Sequence, residues 1–208
     1  MLRNIFPVRL IVLLATAILA ACSSAPESRN MRLDAPSEMP VAGTHLQGAL
    51  QVQPFQARGL LGERRLVYFD AQAPNERKQS ASFLWEETPP QAAAIVVTQA
   101  LRAAKVADAV FAPDQPGIAD TMLSARLDRF ELSADGTAIV DMEVTILKGP
   151  QRQAFLMGSY CAQQPRAGDG AAGIEAAFNE AFRQVLVHLT QDIAARASGA
   201  DAPQSARC

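Results

Sequence analysis

Residues 121–162 read TMLSARLDRFELSADGTAIVDMEVTILKGPQRQAFLMGSYCA. In the middle of this stretch apolar residues recur at every second position. Val140, Met142, Val144 and Ile146 share one face, and Asp141, Glu143 and Thr145 share the other. A period of two is that of a strand with one buried face. Asp135-Gly136 ahead of it and Gly149-Pro150 behind it are turn signals. Residues 121–132 also alternate, with Leu123, Ala125 and Leu127 on one face. Phe130 and Leu132 fall on the opposite face, so the phase slips near Asp128-Arg129, as a β-bulge would make it do. Residues 152–162 continue the pattern, with Phe155, Met157 and Cys161 in one phase and Leu156 and Tyr160 in the other. The spacing predicts a meander of three strands.

Downstream, residues 171–197 (AAGIEAAFNEAFRQVLVHLTQDIAARA) change period. Ile174, Phe178, Phe182, Val185, Leu189 and Ile193 form one helical stripe. Upstream, Thr88-Pro89-Pro90 opens a second helix that runs to about Lys105, with Thr88 as N-cap and proline in the first turn. Pro90, Ala94, Val97, Leu101 and Ala104 share its buried face, while Ile95 and Val96 fall outside it. Loops that cover those two residues are the simpler expectation, and a partner contact is the alternative. Residues 46–54 read as a strand with Leu46, Leu50 and Val52 on one face. Arg65–Phe69 and Val110-Phe111 are shorter strands, and the polar residues 70–82 read as a loop. The expected fold class is therefore α+β: an antiparallel-rich β-sheet with two main helices packed on one face, an α/β sandwich.

The N-terminus has the three parts of a secretory signal: Arg3 and Arg9, an apolar run over residues 10–19, and small residues ahead of a cut. The run is too short to span a bilayer, which needs about 20 residues. Leu19-Ala20-Ala21-Cys22 has the form of a lipobox, where the thiol accepts diacylglycerol before cleavage. Residues 1–21 are thus expected to be a signal peptide and Cys22 the lipidation site, carrying palmitate. Two or three acyl chains hold far more firmly than one, at about 0.8 kcal/mol per buried CH₂. Ser23, in place of an aspartate, favours the outer membrane. Residues 22–29 form the lipidated cysteine and a tether, residues 30–197 a single α+β domain, and residues 198–208 a small, polar tail. In an oxidising compartment two fates are open to the other cysteines. Cys161 and Cys208 form a disulfide, or Cys161 is buried and inert while Cys208 frays.

The chain carries 21 acidic and 19 basic residues, and loses Arg3 and Arg9 with the signal peptide. It has no basic excess for nucleic acid. The two histidines, His45 and His188, lack metal-ligand spacing, and there is no C-x-x-C, nucleophile elbow, phosphate loop or dinucleotide fingerprint. Ser159 sits in a predicted strand and Glu86-Glu87 precede a helix, where negative charge suits the dipole. Trp85 reads as a structural anchor, with partner contact as the alternative. The expectation is a non-enzyme with no catalytic, metal or cofactor residues.

In order and spacing the pieces resemble the ABC-type transport auxiliary lipoproteins, the PqiC-like family. Asn30–Asp34 stands where that family has a short first strand, followed by the strand at 46–54 and Leu61–Tyr68. The most specific block is Phe83-Leu84-Trp85-Glu86-Glu87-Thr88-Pro89-Pro90, continuing to Ala100-Leu101-Arg102-Ala103. Ala119–Leu123, Asp128-Arg129-Phe130-Glu131 and the Ala-rich last helix complete it. The resemblance implies a non-catalytic outer-membrane lipoprotein of an MCE (mammalian cell entry) phospholipid transport system. Its partners would be an MCE-domain protein and, through it, an inner-membrane ABC permease and ATPase. Phospholipid contact and homo-oligomer formation are both compatible with that role, and Cys22 is the one functional residue it carries over. The alternative is a structural or assembly-chaperone envelope lipoprotein unrelated to ABC transport.

Overall fold

The computed structural model describes residues 27–115, 117–168, 170–200 and 208. Among these are nine strands in one sheet: β1 (Arg29–Met31), β2 (Leu46–Val52), β3 (Gln56–Ala57), β4 (Arg65–Asp70), β5 (Ala73–Trp85), β6 (Ala107–Phe111), β7 (Thr121–Leu132), β8 (Thr137–Lys148) and β9 (Gln153–Pro165). Two helices join them, α1 (Pro89–Ala103) and α2 (Ala171–Ala197).

The meander forms as its alternation requires. β7, β8 and β9 pair antiparallel, and Val140, Met142, Val144 and Ile146 are all buried. Opposite them on β9 lie Ala162, Tyr160, Gly158 and Leu156, which makes the Tyr160 phase the inward one. The β7–β8 register shifts between Leu127 and Arg129, at the expected bulge. The extra residue turns Phe130 to the side that Leu127 faces, so both are buried.

The other flank of β7 corrects the expectation of an antiparallel-rich sheet. β2, β3 and β4 follow one another along β7, all parallel to it, with Leu50 beside Thr121, Gln56 beside Arg126 and Val67 beside Glu131. β6 is parallel to β2, and β1 is parallel to β5. The sheet is mixed. Alternation records which face of a strand is buried, but not the direction of a partner remote in sequence. The loop expected over residues 70–82 is also corrected, because β5 begins at Ala73 and pairs antiparallel with β4. Its polar composition reflects a half-exposed hairpin, fixed across the strands by Lys78 and Asp70 at 2.8 Å. A register shift in this hairpin is closed by Ser80, whose Oγ accepts hydrogen bonds from the amides of Ser82 and Phe83.

Both helices begin and end near their expected limits, and the sequence stripes are the buried faces. Pro90, Ala94, Val97, Leu101 and Ala104 are buried on α1 and just beyond it, as are all six stripe residues of α2. Val96 is buried too, whereas Ile95 stays 41 % exposed. α2 lies along β8 and β9, and α1 lies against β6. Their buried side chains join the sheet in one hydrophobic core.

Candidate functional site

Trp85 is the last residue of β5, just ahead of Glu86-Glu87 and α1. It is 2 % exposed. Its ring centroid lies 5.1 Å from those of Phe130 and Phe178, edge-on to the latter, and the two phenylalanine rings are 4.6 Å apart. One aromatic cluster thus ties β5, β7 and α2 together. The indole N–H has no acceptor among the described residues. Above it opens a cleft of about 410 Å³, walled by the segment after β1 and by α1, including Met31, Asp34, Glu86, Glu87, Ile95 and Gln99. Arg32 and Asp34 pair across its rim at 2.6 Å, and Asp34 holds the Arg32 guanidinium above its ordinary pKa. The Arg32 and Asp34 amides donate to Glu175 and Asn179 of α2, which fixes that wall.

Cys22 lies outside the described residues. Cys161 of β9 and Cys208 are joined, with Cα atoms 5.4 Å apart, inside the span of a disulfide. Next to Cys161 and on the opposite face, Tyr160 donates a hydrogen bond from its hydroxyl to Asp192 Oδ2 at 2.9 Å. Burial raises the pKa of both groups, while the Tyr160 hydrogen bond and nearby His188 act against the shift at Asp192. Glu131, 1 % exposed, is flanked by Arg129 at 2.8 Å and Arg77 at 3.0 Å. Its Oε2, though ion-paired with Arg77, receives no well-directed N–H. At the bulge, Asp128 pairs with Arg58 and Arg126, and the hydrogen bond from Arg126 is the main cause that lowers its pKa. Arg126 also pairs with Glu143.

The ion pairs of Asp128 and Glu131 neutralise charge along the sheet, and Asp192 is held by Tyr160 between α2 and β9. His45 pairs with Asp108 at 3.1 Å, and His188 is exposed at the rim of α2. The Ser159 hydroxyl donates to Asp141, not to a histidine. No group of three or more His, Cys, Asp or Glu that could hold a metal occurs among the described residues. No described helix is long and apolar enough to cross a membrane.

The remaining surface feature is apolar. Val41, Leu60, Ile95, Ile118 and Met157 are exposed large hydrophobics, Ile118 at 97 % and Met157 at 67 %. Sequence reasoning flags Ile95 but passes over Ile118. The available signal is its setting, Gln115-Pro116-Gly117-Ile118-Ala119-Asp120, where turn residues leave an isoleucine with no strand neighbour to bury it.

Comparison with known proteins addresses the whole domain. The ABC-type transport auxiliary lipoprotein component family matches residues 32–194. Among solved structures, the DUF330-family protein XCC0632 from Xanthomonas campestris superposes with a TM-score of 0.71 at 16% identity, covering 82% of this chain and 98% of that one. A second, uncharacterized protein superposes with a TM-score of 0.65 at 14% identity, covering 79% and 97%. At these identities the likeness shows a shared fold. No curated protein matches the sequence. The family match spans every described element from β2 to β9, both helices for most or all of their length, and the cluster around Trp85, and so the chain belongs to the ABC-type transport auxiliary lipoprotein component family.

Proposed function

We propose that this protein is a non-catalytic lipoprotein, cut before Cys22 and held by lipids on that cysteine to the outer membrane. In this reading it docks the far end of an MCE-domain protein that crosses the periplasm from an inner-membrane ABC permease and ATPase. The family match over residues 32–194 carries the proposal. The internal chemistry supports it. The buried or partly buried ionisable groups at Asp128, Glu131 and Asp192 are each engaged by a neighbouring side chain, which is the arrangement of a binding scaffold. The short segment between Cys22 and β1 suits a domain held close to its membrane. A crosslinking pull-down from envelopes tests the reading. Recovery of an MCE-domain protein with the permease and ATPase is expected. A clean pull-down without one, from cells that express it, would overturn it in favour of an unrelated envelope role.

A further inference from the structure

Strand directions give the domain two ends. β4 runs beside the Leu132 end of β7, with Tyr68 next to Leu132. β5 is antiparallel to β4 and β1 is parallel to β5, so β1 runs against β7. Traced backwards from Arg29, the chain therefore leaves toward the Leu132 end. The β7–β8 turn, Pro165 and the start of α2 lie at that same end, where a Cβ on Gly170 would stand 3.9 Å from Arg29 Nη1. At the opposite end are the Thr121–Lys148 pair, the turn before Arg152, the start of β6, and the end of α2, where Arg196 donates to the Phe155 carbonyl.

The exposed large hydrophobics are distributed unevenly between these ends. Ile118 lies three residues before Thr121. Met157 pairs with Thr145, which pairs with Ser124 in the Thr121 half of β7. Val41 precedes Ala42, whose amide bonds the Ala104 carbonyl near the start of β6. Leu60 follows Arg58, whose amide bonds the Leu127 carbonyl near the middle of β7, and Ile95 lies on α1; none of these five exposed residues lies beside Leu132. Beside Ile118 lies a cleft of about 480 Å³ with a largely polar lining that includes Gln51, Gln53, Asp114, Gln115, Met122 and Arg152.

The length of the tether decides what this end can meet. From Cys22 to Glu27 the chain reaches at most about 18 Å. The 13 residues of β9 set a height of about 43 Å. If the remote end faced its own bilayer, Glu27 would be carried more than twice as far out as the tether allows. We infer that the end marked by Ile118, Met157 and Val41 faces away from the anchoring membrane and is the docking surface for a protein reaching across from the opposite one. The contact it offers combines exposed aliphatic side chains with the polar cleft beside Ile118, and exposed Lys148 and Arg152 stand at its edge to meet carboxylates on that partner. The inference rests on the lipid anchor and docking role proposed above.

A photo-crosslinking residue placed at position 118, and separately at Gln72 in the β4–β5 turn of the anchor end, tests it in cells making the full chain. A protein adduct is expected from position 118 and none from position 72. Adducts from 72 alone, adducts from neither while the envelope pull-down still recovers the partner, or a lipid adduct at 118 would each overturn this surface and leave the docking role standing. A pull-down empty of partner would remove both. Ile118→Asp, at a side chain with almost no contacts to lose, is expected to cut partner capture at least tenfold with thermal unfolding unchanged. Undiminished capture would also overturn the assignment.

Discussion

At Trp85 the aromatic ring fills the junction of β5, β7 and α2, and its N–H bonds to no described acceptor. Its worth is therefore packing. Trp85→Ala is expected to cost about 3–5 kcal/mol, read as a lower urea midpoint, and Trp85→Phe distinctly less. Equal losses would mean that the indole N–H matters. Asp192 offers a pH test. It is 5 % exposed, and burial lifts its pKa above the ordinary 3.8. A carboxyl with a raised native pKa holds its proton in the folded state after the unfolded chain has released it. From pH 3.8 upward, stability therefore falls as pH rises through the native pKa. Asp192→Asn keeps an acceptor for the Tyr160 hydroxyl and removes the charge. The variant's gain in Tm is expected to be larger at neutral pH than near about pH 4, by thermal unfolding across that range. A gain independent of pH would exclude the mechanism.

At the scale of elements, the bond from Cys161 joins the edge strand β9 to the C-terminal residue across 47 positions. We propose that it forms in the exported protein. Closing a loop of that length stabilises by about 4 kcal/mol in the chain-entropy account. Cys208→Ala is expected to lose up to about that much in non-reducing urea unfolding. Thiol titration of the unfolded, unreduced wild type is expected to find neither cysteine free, and two free thiols would remove the bridge. The bulge in β7 shows how an element reads in sequence. Leu127 and Phe130 are both buried although their spacing breaks the alternation, and the break marks the inserted residue. β5 was not legible in the same way. Half-exposed on a hairpin, it needs no apolar period, and its pairing with β4 and β1 is what makes it a strand.

For the whole molecule, the proposed anchor at Cys22 is the modification to test. Cys22→Ala is expected to abolish labelling by radioactive palmitate and leave a longer, uncut precursor on a gel. Normal labelling in that variant would refute the anchor. Sequence alone determined the helices and the central meander, because burial on one face imposes a period of 3.6 or 2 on adjacent residues. It also carried the lipobox-like tetrapeptide and the family order of motifs, which are local in the chain. Tertiary structure decided what depends on distant partners. It set β2, β3 and β4 parallel to β7, and it buried Trp85 between Phe130 and Phe178. It also decided which way the chain leaves β1, and with that which end of the domain Ile118 occupies. Strand direction and residue height in a sheet are fixed by hydrogen-bonded neighbours remote in sequence, and no local pattern of side chains records them.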